Sequence, residues 1–165
     1  MAALIISGAC GYRLRGTGGA LFSSQNIKKI AVPVFKNNTT RYELDLKLTR
    51  AVIDELVARA RVEIASDPAQ ADAVLEGEVA VFLVSPIAFT SQRASADRYL
   101  IQIVAAVNVR DNRTKKVIFS NPSYPWQTEY EVPQGTDFES SETEALEKVS
   151  ALFARALVIT ILEGF

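Results

Sequence analysis

Residues 98–110, RYLIQIVAAVNVR, set Tyr99, Ile101, Ile103, Ala105, Val107 and Val109 against Gln102, Asn108 and Arg110. An apolar residue at every second position over this length is the strongest strand signal in the chain, with one face expected on a core. The chain must therefore build a sheet, and the flanking segments show how it is covered. Ala73 to Phe89 is a second long strand run, with Val79, Val81, Leu83 and Ile87 expected on the covered face and Val74, Ala80, Phe82 and Val84 on the other. Val117 to Val132 is a third, interrupted by NPSYP, whose prolines predict an edge position or a bulge. DNRTKK between the second and third runs reads as a hairpin loop.

Two helices accompany these strands. Leu44, Leu48, Val52 and Leu56 recur every fourth residue, widened by Ala51 and Ile53, which predicts an amphipathic helix through about Ala60. Thr40 and Glu43 have the spacing of a capping box, so its start is expected near Arg41. Ser141 and Glu144 repeat that spacing before a second helix. Its apolar side is expected to hold Leu146, Val149, Leu152, Phe153, Ala156, Leu157, Thr160 and Ile161, and its end to fall at Gly164. Ahead of the first helix, Ile27 to Phe35 reads as a strand with Ile30, Val32 and Val34 on one face and Pro33 marking an edge; RVEIAS after that helix is a short strand. The order β-α-β-β-β-β-α predicts a single α+β domain: a mixed sheet of four to five strands with both helices on one face.

The chain has 165 residues, enough for one core. Its formal net charge of −1 gives no long-range attraction for nucleic acid, and none is expected as a partner. Histidine is absent and cysteine occurs once, which removes His-dependent catalysis, an internal disulfide and Cys/His metal clusters; no cofactor is expected. Glu76 with Glu78, and Glu139, Glu142 and Glu144, are the carboxylate groups that acid–base chemistry would need. The first pair reads as solvated alternation and the second as acids favoured at a helix start. No nucleophile–base pair is found, and an enzyme is not expected.

The single cysteine has its own context. SGAC places small residues directly before Cys10, as a bacterial lipoprotein signal does, although Ser7 stands where leucine is favoured and MAALII supplies only the rear of an apolar segment. Cys10 is thus the expected lipid anchor. The expected boundaries are a residual signal peptide at 1–9, a lipidated tether at 10–26 and the folded domain at 27–165. Within the tether, Tyr12 and Leu14 are candidate docking side chains. In the domain, two helices on one face leave the other open, and Phe82, Val84, Leu100 and Val104 are more apolar than a wet face needs. A covering loop and a partner surface are both open readings of them.

CGYRLRGTGG, KKIAVPVFKNNTTRYELDLKLTRAVIDEL and ADAVLEG together resemble the LPS-assembly lipoprotein family LptE. The resemblance implies an outer-membrane lipoprotein facing the periplasm, with two helices on a sheet of about four strands. It also implies residence inside the β-barrel protein LptD, whose assembly it aids, and a part in moving lipopolysaccharide to the cell surface. IAVPVF is also similar to the first strand of LpoB-like activators and CsgG-like secretion domains, an alternative reading as another periplasmic binding module. For lipopolysaccharide, the loop SPIAFTSQRASADR sets Arg93 and Arg98 beside apolar residues, whereas Arg113, Lys115 and Lys116 belong at the opposite end of the sheet. Arg93, supported by Arg98, is the expected phosphate contact.

Overall fold

A computed structural model describes residues 20–89, 96–133 and 138–164. In chain order these form α1 (Ala20–Ser24), β1 (Lys29–Ala31), β2 (Lys36–Asn37), α2 (Leu44–Ala60), β3 (Glu63–Ile64), a 3-10 turn at Pro68–Gln70, β4 (Ala73–Phe89), β5 (Ala96–Asp111), β6 (Val117–Glu131) and α3 (Glu142–Glu163). One mixed sheet runs β3-β1-β4-β5-β6, with β2 also paired to β4. β1 is parallel to β3 and β4, whereas β4, β5 and β6 form an antiparallel meander. The α+β architecture expected from the element order is the one observed.

The helical stripes land on the sheet as their spacing requires. Leu44, Leu48, Val52 and Leu56 of α2 are all fully buried, as are Phe153, Leu157 and Ile161 of α3. They meet Leu75, Val79, Ile101, Ile103, Ala105, Val107 and Val109 from the sheet in one core. Each such side chain removed from water stabilises the fold by about 1.5–3 kcal/mol. Tyr124 and Trp126 of β6 set their rings edge-on to Phe153, at 5.9 Å and 5.8 Å between centroids. Gly164, at φ 75°, ends α3 and donates its N–H to the Thr160 carbonyl at 3.1 Å.

Several local expectations give way to tertiary contacts. Pro33 does not mark an edge: β1 lies between β3 and β4, and the chain leaves the ladder at Val32–Phe35 before resuming as β2. Val34 consequently points outward and is 56% exposed. The Thr40–Glu43 spacing does not cap α2, which starts at Leu44 after Glu43 in a left-handed conformation at φ 56°. The preceding turn is held by Asn37 instead. Its Oδ1 accepts from the Thr39 N–H at 3.0 Å, and its Nδ2 donates to the Arg41 carbonyl at 2.8 Å. Ser141 does precede α3, but its hydroxyl donates back to the Phe138 carbonyl at 3.4 Å. Leu152, expected on the buried side, is 41% exposed. Residues 20–26, read as part of the tether, include α1 and its following turn, and Phe22 is 2% exposed.

The two long β4–β5 strands decide which residues are available to a partner. At about 3.4 Å per residue each spans roughly 50 Å, whereas α2 at about 1.5 Å per residue spans about 26 Å. Helices therefore cover one face of the meander and leave the other without a second layer.

Candidate functional site

The open face is organised by one irregularity. The β4–β5 register pairs Val79 with Ala105 and then Val81 with Val104, so Ala80 is an extra residue on β4. Such a bulge turns over every side chain beyond it. Before it, Ala73, Leu75 and Val79 face the helices; after it, Phe82 and Val84 do, opposite Ile103 and Ile101 and packed against the core. The expected wet-face position of Phe82 and Val84 is therefore corrected. Arg41 sits over the Phe82 ring at 5.4 Å while its Nη1 binds Glu142 Oε1 at 2.6 Å, closing that side.

Val81 and Leu83 take the vacated outward positions. They pair with Val104 and Gln102, and Ser85 pairs with Leu100. Pro125 of β6 lies opposite Val104, and Ala106 continues the row toward the β5–β6 turn. Leu100 and Val104 are thus on the open face, as alternation along β5 predicted. With Val81, Leu83, Ala106 and Pro125 they make an apolar strip across three strands, about 20 Å long along β5 and about 10 Å wide. Leu83, 53% exposed, stands out most.

The rim is polar and internally balanced. Within the strip, between Leu100 and Val104, Gln102 Nε2 reaches Gln127 Oε1 at 3.4 Å; at its margins Ser120 Oγ donates to Asn108 Oδ1 at 2.7 Å, Arg98 lies 3.7 Å from Glu129, and Arg110 lies 4.0 Å from Glu76. Arg98 is consequently at one end of the strip with its guanidinium beside a carboxylate. Glu78 accepts from Asn38 Nδ2 at 2.6 Å. Toward the other end Val74 is buried with Ala31, Ala65 and Ala71, the last directly after the 3-10 turn, so there a loop does cover the open face. Cys10, Tyr12, Leu14 and Arg93 lie outside the described residues. Among the described residues no group of three or more acidic, Cys or His side chains is placed to hold a metal.

The sheet edges are poor docking sites. β6 carries Pro122 and Pro125 and a register shift between its pairings to Ala105 and Val107. The part of β4 beyond β2 carries Pro86 and further shifts at Pro86/Ala88 and Ala88/Phe89. Prolines and bulges both discourage strand addition. What the meander offers is its face.

With this geometry in view, the comparisons with known proteins are specific. The profile of the lipopolysaccharide-assembly family LptE matches residues 27–161. The chain belongs to the LptE family. Among curated proteins no sequence matches it. Solved structures share the fold of this LptE-family chain at low identity. XCC0632 from Xanthomonas campestris aligns with TM-score 0.55 at 10% identity, covering 83% of this chain and 85% of that one. The PelC dodecamer from Paraburkholderia phytofirmans aligns with TM-score 0.53 at 16% identity, over 82% and 87%. Lipoprotein B from Nitrosomonas europaea gives 0.50 at 11%, over 93% and 88%. At these identities the likeness is one of fold. Family membership is what links the LptE-type domain to lipopolysaccharide assembly.

The residues that sequence reading missed are Val81 and Leu83. VAVFLV is apolar at every position, so its composition is equally compatible with either register, and no residue in it marks Ala80 as the bulge.

Proposed function

We propose that this protein is an outer-membrane lipoprotein that docks inside an LptD-like β-barrel, assists its assembly and supports lipopolysaccharide export. The observation that carries the reading is the strip of Val81, Leu83, Leu100, Val104 and Pro125, left open by both helices and flanked by blunted edges. An apolar centre with a polar rim is the anatomy of a protein interface. Lipopolysaccharide, with phosphates and acyl chains, is matched by Arg98 beside Leu100, and Arg93 is proposed to join them. Cys10 supplies the lipid anchor on the periplasmic face, and Tyr12 and Leu14 dock the tether. The LptE-family match favours this reading over the LpoB-like and CsgG-like alternative.

Co-purification with the barrel tests the face. Leu83→Asp/Leu100→Asp should abolish it while helix content and unfolding midpoint stay near wild type, and Tyr12→Ser/Leu14→Ser should weaken it. Retention of the barrel by the first variant would exclude this face as the interface. Lipopolysaccharide binding that is unchanged in Arg93→Ala/Arg98→Ala would exclude those arginines as ligands. Equal fatty-acid incorporation in wild type and Cys10→Ser would exclude the anchor.

A further inference from the structure

The chain joins the domain at one end of the sheet, and that end is chemically distinct. α1 is fixed there by the buried Phe22, whose carbonyl accepts from the Ile27 N–H at 2.9 Å. Arg113 fixes it again, donating from Nη2 to the Gln25 carbonyl at 2.6 Å. Arg113 belongs to the turn between β5 and β6, so the end of α1 is hydrogen-bonded to that turn, one short helix from the point where the chain runs back toward Cys10. Nine residues lie between Ala20 and Cys10, a reach of at most about 36 Å.

The turn itself is cationic and partly apolar. Arg113, Lys115 and Lys116 follow one another, and then Val117, which is 58% exposed. Arg113 is held by Asp111 at 3.3 Å as well as by Gln25. Lys115 and Lys116 form no ion pair among the described residues, and both are exposed. The nearby acids are engaged elsewhere: Asp111 is buried, Asp72 is half-buried, and the exposed Glu76 lies 4.0 Å from Arg110. Asp111 Oδ1 accepts the N–H groups of Arg113 and Thr114, Asp72 Oδ2 accepts those of Lys28 and Lys29, and Asp67 Oδ1 accepts that of Ala69. Two unengaged ammonium groups next to an outward valine match a surface with phosphates outside and acyl chains beneath.

We propose that the β5–β6 turn rests on the anionic lipid surface that holds the anchor, with Lys115 and Lys116 on lipid phosphates and Val117 at the acyl boundary. The inference rests on the reading of Cys10 as that anchor. One acyl chain alone binds membranes only marginally, and a basic cluster supplies a second signal. Each lysine near an anionic surface strengthens binding about fivefold, so two are worth about 30-fold. β4 and β5 then run away from the lipid surface.

The test uses the full chain carrying Cys10→Ser, so that vesicle binding is read without acylation. Vesicles of phosphatidylcholine with about one-third phosphatidylglycerol, which supplies the negative surface potential that attracts basic clusters, are compared with pure phosphatidylcholine. Lys115→Asn/Lys116→Gln is the variant, because Lys115 has φ 60° and asparagine tolerates that conformation. Arg50→Gln/Arg155→Gln, on the helices, is the control of equal charge change. The expected result is binding to the anionic vesicles that falls about 30-fold in the lysine variant, weakens with salt, and is unchanged in the control. Equal loss in both variants, no loss in the lysine variant, or equal binding to neutral vesicles would overturn the proposal. Fatty-acid labelling of Cys10 is a separate readout, so failure of the anchor and failure of the turn are distinguishable.

Discussion

Gly77 is the most restrictive contact in the core and gives the sharpest test of how β4 is packed. It pairs with the buried Val107 on the helix side of the sheet, and the Phe35 ring lies across it. A Cβ added at Gly77 would sit 2.5 Å from Phe35 Cε2 and 2.6 Å from both Cδ2 and Cζ, about 1 Å inside normal carbon–carbon contact. Phe35 is 2% exposed, and its N–H donates to Thr49 Oγ1 at 2.9 Å, so neither ring nor backbone yields freely. Overpacking of this kind costs about 1–3 kcal/mol, and the upper part applies where three ring atoms clash. Replacing a strand glycine by alanine returns about 0.5–1 kcal/mol through chain entropy. Gly77→Ala should therefore destabilise by about 2 kcal/mol, a fall of roughly 4–8 °C in Tm for a domain of this size. Urea unfolding followed by circular dichroism measures it. Phe35→Leu/Gly77→Ala should cost clearly less than the sum of the two single changes, with a coupling of at least about 1 kcal/mol. A neutral or stabilising Gly77→Ala, or additive costs, would refute the packing argument.

Two further outcomes follow from named contacts. Phe82→Ala should destabilise by about 1–3 kcal/mol, whereas Leu83→Ala should change stability by less than about 0.5 kcal/mol and yet reduce barrel co-purification, because the bulge sets these neighbours on opposite faces; the reverse order in urea unfolding would move the bulge. Backbone N–H donors, from Lys28 and Lys29 to Asp72 and most strongly from Thr114 to Asp111, hold both carboxyls below their ordinary value of 3.8. Lowered folded-state values mean that this stabilisation is present above the unfolded value and is lost as pH falls through the folded one. With no histidine in the chain, the urea midpoint should stay level from about pH 8 to 5 and drop below about pH 4. Asp72→Asn/Asp111→Asn should flatten that acid limb, and an unchanged limb would show that other carboxylates control it.

Periodicity was readable wherever one element alone determined it. The α2 stripe from Leu44 to Leu56 and the β5 alternation from Ile101 to Val109 are local patterns, and both are buried as their spacing demanded. β5 keeps one apolar parity from Ile101 to Val109 with no bulge against β4 in that stretch beyond Ala80, so Leu100 and Val104 could be placed on the open face from their position in the strand. Gly164 is likewise a local stop, needing only the left-handed conformation that glycine accepts. Capping-box spacing was less informative, since Thr40 and Glu43 fit a box in sequence while Asn37 holds the turn in space.

Everything that depended on a second strand was decided by tertiary structure. Whether VAVFLV presents Phe82 or Leu83 to the helices turns on one extra residue opposite β5, and that choice belongs to the pair of strands and the rings beneath them. β1 is three residues long, and its central parallel position comes from ladders to β3 and β4 that lie more than thirty residues away in the chain. Pro33 could therefore mean an edge or an exit from the ladder with equal local sense. Phe22 follows a glycine-rich stretch that reads as tether; its burial comes from α1 packing against α3, more than a hundred residues away in the chain. For α2, β5 and α3 the period was legible because it is a property of one backbone, whereas α1 and β2 are too short to show one. The face that a partner can reach was decided by register, which no single segment carries.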